Sequence, residues 1–176
     1  VQADAAAIAN APVSSTTRAP GAEFSDAKAA QSLVQAIDER LTLMRDVAAA
    51  KWLSGAPILD AAREADVLQR VAVRAESLGL DSVTTQAFFA SQMRLARDLQ
   101  QRWHDEWNQA GHCAPCDEPA GLQVVRERID ATSEQQFAAL YLLAPLRDDT
   151  AAAVMEQMPA IVRRHELPAD AATAVV

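Results

Sequence analysis

The chain has 176 residues, half of them hydrophobic and only five of them glycine, which is typical of one packed domain rather than a disordered segment. Good helix formers dominate and aromatic residues make up 5%, so the composition favours an all-α fold and argues against a β fold. The net charge of −8 argues against nucleic acid and anionic membrane as main partners, because both bind basic surfaces. No apolar stretch reaches the roughly eighteen residues that a membrane span needs.

Residues 1–23 carry two prolines and show no useful periodicity, which predicts a flexible N-terminal tail ahead of one domain over residues 24–176. The chain begins at Val1, and its opening is rich in Ala, Ser, Thr and Pro. We expect this to be the mature end left after a signal peptide is removed, and therefore a periplasmic or secreted protein. A chain shortened for any other reason would begin in the same way.

The first two predicted helices have clear boundary signals. The first begins at a cap formed by Ser25 or Asp26 and ends near residue 53, where Ser-Gly-Ala-Pro follows. Asp60 is the expected N-cap of the second helix, which runs to about Leu78 and stops at Gly79.

The boundaries of the remaining helices are predicted from the same kinds of start and stop signals. The third runs from Asp81 or Ser82 to about residue 109, and a loop covers residues 111–119. The fourth spans residues 121–143, and the fifth covers 149–165, where Pro159 is expected to kink or divide it. Residues 168–176 either add a last turn or fray. Long helices with short connections predict a bundle of about five to six helices.

Cations lie on the inward faces of several predicted helices. Arg40 and Lys51 are eleven residues apart, which places them on one side of the first helix, about 16 Å apart, within an apolar stripe. Arg63 falls on the inner face of the second helix and Arg126 within the apolar stripe of the fourth. Arg74 also falls on the inner face of the second helix, and the pattern assigns it no role.

Two explanations of these inward cations are open. Each could extend to solvent or pair with an inner carboxylate such as Asp60, Glu64 or Asp130, and for any single residue this is the simpler one. Four together, with few matching acids, favour a pocket for a small polyanion such as a dicarboxylate, because a buried unpaired cation costs several kcal/mol.

Ordered motifs surround these residues: ER(40)L, then K(51)W, PILDAAR(63)E, FFASQMRLARDLQ(100) and VVR(126)ERID. Over residues 25–143 this set resembles the all-helical, type II chorismate mutases, and most closely their exported gamma subclass. The resemblance implies a single-domain helical bundle that converts chorismate to prephenate without cofactor or metal. It also implies a homodimer in which each chain supplies a complete active site.

The resemblance implies a role for each matched residue. Arg40, Arg63 and Arg126 fall where the family places cations around the two substrate carboxylates. Ala96 departs from the family pattern, in which Ser or Thr is common, so one carboxylate is expected to lose a hydroxyl donor.

Four further positions match residues at the reacting centre and the ring. Lys51 matches the lysine that meets the ether oxygen and a carboxylate, and Gln100 matches the residue on the other side of that oxygen. Asp60 and Glu64 match positions near the ring hydroxyl. Because Gln100 is neutral, we expect activity without the acid requirement of a relative that has Glu there.

Cys113 and Cys116 lie in the loop sequence HCAPC, for which three explanations compete. A redox pair would be expected after a strand in a βαβ unit, and this chain has no such pattern. A zinc site could use His104, His112 and the two cysteines, but nothing in the sequence fixes these four together. A local disulfide formed after export is favoured, with a modest effect on stability because its loop is short.

Two other functions compete with the mutase. An exported, non-catalytic helical binding or adaptor module would need an exposed apolar groove rather than an internal cationic pocket. A third, narrower alternative is a regulated domain cut from a bifunctional enzyme, although the chain is too short to hold a second enzyme as well. The inward cations at family spacing favour the mutase.

Overall fold

The computed structural model describes residues 20–117, 119–144 and 147–171, without the side chains of residues 20–25, 122 and 147–150. Within these ranges all regular structure is helical, which confirms the predicted all-α class. The α-helices are α1 (Pro20–Thr42), α2 (Met44–Ser54), α3 (Ala61–Ser77), α4 (Ser82–Ala110), α5 (Leu122–Leu143) and α6 (Arg147–Arg164). A short 3₁₀ turn, Ala114–Cys116, lies between α4 and α5.

Helices α1 and α2 form one almost continuous rod. The Leu43 N–H donates to the Glu39 carbonyl at 3.2 Å and the Val47 N–H to the Leu43 carbonyl at 3.1 Å, so the hydrogen-bond ladder continues across the interruption at Leu43. The rod ends at Gly55, whose φ of 66° is the left-handed conformation that favours glycine. The predicted end of this helix is confirmed, but the predicted start at Ser25 or Asp26 is wrong, because α1 begins at Pro20.

The other helix boundaries follow the local signals closely. The Asp60 carboxylate accepts a hydrogen bond from the Arg63 N–H at 3.0 Å, and Asp81 accepts one from the Thr84 N–H at 2.7 Å, so both predicted N-caps are confirmed. Pro159 lies inside α6 and does not divide it. The Ala171 N–H bonds to the Pro168 carbonyl at 2.9 Å, which closes a last turn. Of the flexible tail predicted for residues 1–23, residues 1–19 lie outside the described residues, whereas residues 20–23 belong to α1.

The core of the described residues consists of three hydrophobic clusters. α1 packs against α5 and α6, and their contact buries Ile37, Val125 and Met158 completely. α4 packs against α2 and α3. None of the described helices is long and apolar enough to cross a membrane. This arrangement leaves a space bounded by α1 to α5, toward which the inward cations point.

Candidate active site

A cavity of about 570 Å³ lies between helices α1 to α5. All seven predicted substrate and catalytic residues line it, although they come from five helices and one connecting segment. These residues are Arg40, Lys51, Asp60, Arg63, Glu64, Gln100 and Arg126. The structure therefore brings the predicted set together in one place, and their individual roles remain predictions.

Arg40 is the most deeply buried cation of the cavity, with 7% of its surface exposed. Its Nη1 donates to the Ser133 hydroxyl at 3.1 Å, whereas its buried Nε has no hydrogen-bond partner among the described residues. Burial lowers the pKa of the Arg40 guanidinium to about 10, and Asp130 opposes this shift. Arg40 therefore remains charged at neutral pH and keeps a desolvated donor unpaired, which an anion in the cavity would stabilise.

Lys51 lies half-buried near the end of α2. Its Nζ donates to the Ile58 carbonyl at 2.6 Å, in the segment that connects α2 to α3. An ammonium has three N–H donors, so this bond holds the side chain in place and leaves donors for a ligand. Burial lowers the pKa of Lys51, while the neighbouring Glu64 and Asp60 oppose the shift.

Gln100 is almost fully buried on α4, with 4% exposure. Its Nε2 donates to the Ala96 carbonyl at 3.0 Å and lies 3.6 Å from the weak acceptor Met44 Sδ, while its buried Oε1 has no partner in the described part of the chain. One N–H of the Gln100 amide therefore contacts only the weak acceptor Met44 Sδ, and it is available to donate to a stronger acceptor on a ligand. Ala96 lines the cavity one turn earlier and offers it no hydroxyl.

Arg63 and Arg126 stand at the open rim of the cavity. Both are exposed, and neither makes an ion pair within the described residues. Asp60 also lies at this rim, where it caps α3. The rim therefore offers arginine forks from two helices, α3 and α5, and a guanidinium fork is suited to binding a carboxylate.

The lining also includes residues that the sequence analysis missed. Arg97 on α4 lines the cavity and pairs with Glu64, with Nη1 2.5 Å from the carboxylate oxygen. It lies three residues before Gln100 on the same face of the helix, so helical spacing could have found it. Arg74, which the pattern left unassigned, pairs with Glu134 at 2.7 Å.

The described lining holds seven cations and four carboxylates, so it has an excess of positive charge within an acidic protein. The cations are Arg40, Lys51, Arg63, Arg70, Arg74, Arg97 and Arg126, and the carboxylates are Asp60, Glu64, Asp130 and Glu134. This surplus favours a small ligand that carries more than one negative charge.

The disulfide expected between Cys113 and Cys116 is confirmed. Cys113 is buried against Ala48, Ala49 and Trp107, so the bridge closes the end of the bundle next to α2. It lies apart from the cavity lining, and its position indicates a structural role.

Comparison with protein families agrees with this geometry. The family model for chorismate mutase type II matches residues 28–101, a segment that contains six of the seven predicted site residues, all except Arg126. The secreted chorismate mutase of Yersinia pestis is 33% identical over 97 residues, which are 55% of this chain and 51% of that protein. The matched part of the chain thus spans about half the length of this relative.

Solved structures extend the similarity over most of the chain. A chorismate mutase from Burkholderia phymatum superimposes with a TM-score of 0.71 and 27% identity, covering 85% of this chain and 93% of that one. A chorismate mutase from Burkholderia thailandensis gives a TM-score of 0.66 and 28% identity, covering 84% and 94%. The shared fold therefore includes helices beyond the segment that the family model matches.

Proposed function

We propose that the chain is a type II chorismate mutase that converts chorismate to prephenate in the cavity between α1 and α5, which its similarity to that family supports. The observation that carries this proposal is the convergence of Arg40, Lys51, Gln100 and two rim arginines on one cavity. Their charges match a small dicarboxylate better than an apolar peptide or a second helix.

The reaction is an intramolecular Claisen rearrangement, in which an ether C–O bond breaks while a C–C bond forms. No proton has to be transferred and no nucleophile attacks, so the reaction needs neither an acid–base pair nor a cofactor. The enzyme has to hold the substrate in its diaxial, folded conformer and stabilise the negative charge that grows on the ether oxygen. Fixed donors in a partly desolvated cavity meet both needs.

The ether oxygen is assigned to Lys51 and Gln100. Lys51 presents an ammonium whose position is set by the Ile58 carbonyl, and Gln100 offers an amide N–H from the facing helix. Charge that develops between them is stabilised more strongly than the neutral ether, so these two residues act on the transition state.

The two carboxylates are assigned to the arginines. Arg40 binds one of them from the buried end through its free Nε and its fork, while Arg63 and Arg126 bind at the rim. Asp60 and Glu64, on the α3 side, are assigned to the ring hydroxyl. This arrangement would orient the substrate and restrict it to the reactive conformer.

We also propose that the protein is exported and acts as a homodimer. A short-range disulfide is typical of oxidising compartments, and a secreted enzyme is among the relatives. All seven predicted residues line the cavity of a single chain, which supports a site that does not need the dimer for its assembly. Light scattering in solution measures the oligomeric state, and a monomeric mass at micromolar concentration would contradict the dimer.

A direct assay tests the activity. The purified protein is incubated with chorismate, the loss of its ultraviolet absorbance is followed, and the product is identified by proton NMR. Stoichiometric formation of prephenate is expected. Absence of turnover in folded protein would refute the proposal and favour the non-catalytic binding module.

A further inference from the structure

The ion pair between Arg97 and Glu64 joins α4 to α3 across the cavity wall. Its atoms approach to 2.5 Å, and the two side chains are only 28% and 25% exposed. The pair is therefore shielded from solvent far better than the Arg70–Asp66 pair on α3, in which both side chains are more than half exposed. A shielded pair of this kind fixes the direction of both side chains.

Glu64 is also the carboxylate that acts most strongly on Lys51. In a cavity without ligand, an ammonium and a nearby carboxylate attract each other, and a direct pair would occupy the cation that the substrate needs. Lys51 instead donates to the neutral carbonyl of Ile58. Something must therefore hold Glu64 away from Lys51, and the structure shows it bound to Arg97.

Building on the proposed function, we propose that Arg97 is a positioning residue that holds Glu64 against α4 and thereby keeps Lys51 open to the anionic substrate. Without Arg97, Glu64 would turn toward Lys51 and compete with the substrate as an internal anion. The effect should therefore appear in KM, because the competing ion pair has to break before the substrate binds.

Other charged groups also face Lys51. From α3 and its cap these are Glu64, Asp60 and Arg63, and from α4 Arg97. Arg40 from α1, with Arg126 and Asp130 from α5, lines the same cavity. Arg97 lowers the pKa of Lys51 and Glu64 raises it, so the two members of the ion pair act on the ammonium with opposite signs.

The kinetic test is a double-mutant cycle with chorismate as substrate. Arg97→Ala should raise KM roughly ten-fold with kcat changed by less than about three-fold, and Arg97→Lys should recover part of the loss. In a Glu64→Gln background, Arg97→Ala should have little further effect, since no competing carboxylate remains. Arg94→Ala, an exposed arginine one turn earlier on α4, is the matched control and should behave as wild type.

A second measurement does not depend on catalysis. The chain contains two lysines, Lys28 and Lys51, so protein labelled with ¹³C at lysine Cε gives two NMR signals, which Lys28→Arg assigns. Arg97→Ala should move the Lys51 titration to higher pH. Glu64→Gln should lower the pKa of Lys51 by more in the Arg97→Ala background than in wild type, because in the Arg97→Ala variant Glu64 lies closer to the ammonium.

The outcomes separate this proposal from the proposed function. Wild-type protein that fails to turn over chorismate would refute the mutase activity, and the lysine titrations would still test the position of Glu64. An equal effect of Glu64→Gln on Lys51 in both backgrounds would overturn the positioning role. So would a full KM defect of Arg97→Ala in the Glu64→Gln background, which would make Arg97 a direct substrate ligand.

Discussion

Helix α1 contributes to two regions of different character. Its contact with α5 and α6 buries apolar side chains, whereas many of the side chains that line the cavity between α1 and α5 are charged. Ile37 is fully buried among apolar side chains that include Met158. Arg40, one turn further along α1, is almost as deeply buried but faces the cavity with an unpaired donor. One helix thus contributes a stabilising residue and, three positions on, a residue whose burial is costly without a ligand. From this comparison we expect stability and the proposed activity to depend on separable parts of the bundle.

The largest effect is expected from the reacting centre. Lys51→Ala should reduce kcat/KM for chorismate by about 10² to 10³, because it removes one fixed donor to the ether oxygen. The urea midpoint should change little, since Lys51 is only half-buried. Lys28→Ala, an exposed lysine on α1, is the control. Activity in Lys51→Ala equal to that of wild type would refute the proposed site.

The complementary change lies in the apolar contact of α1 with α5 and α6. Met158→Ala on α6 should lower the free energy of unfolding by about 3 kcal/mol, because Met158 has no exposed surface and the truncation leaves a cavity. Denaturation by urea measures this loss, and Met155→Ala, on a less buried position of α6, should cost less. The folded protein should keep its kcat/KM within about two-fold. A ten-fold loss of activity in a fully folded variant would show that the two regions are not independent.

A third test changes the pH dependence of the cavity. At pH 8, Gln100→Glu should lower kcat/KM about 10²-fold, since the ionised carboxylate cannot donate to the ether oxygen. Activity should return as the pH falls, because burial raises the pKa of an introduced carboxyl and its protonated form can donate. Gln101→Glu, on the exposed side of α4, is the matched control. The wild-type profile should show no collapse above about pH 6, and such a collapse would contradict the role of Gln100.

The contrast between the two regions also explains what the sequence could predict. Helix ends at Asp60, Asp81 and Gly55 were predictable because capping depends on neighbours in the chain. The start of α1 was missed, although Pro20 at its first position is a favourable beginning. The interruption at Leu43 has no Gly or Pro to mark it.

For the site, helical spacing placed Arg40 and Lys51 on one inward face, which is a property of a single helix. The pairing of Arg97 with Glu64 depends on how α3 crosses α4, and helical periodicity carries no information about that crossing. The exposure of Arg126 also depends on packing. Its position in the apolar stripe of α5 is set by periodicity, but the way α5 packs places Arg126 at the rim of the cavity. The sequence therefore indicated most of the residues that line the cavity, and packing determined their partners.

The smallest effect is expected at the disulfide, which belongs to neither region. Replacing both Cys113 and Cys116 by serine should cost at most about 2 kcal/mol in the free energy of unfolding, because the bridge closes a loop of only a few residues. Cys113 is nevertheless buried against Ala48 and Ala49, only two or three residues before Lys51 on α2. If packing of α2 alone positions the ammonium, kcat/KM should stay within about two-fold of wild type. A larger loss in protein that remains folded would show that the bridge supports the cavity through α2, and the same loss should then appear when a reductant opens the disulfide of the wild-type protein.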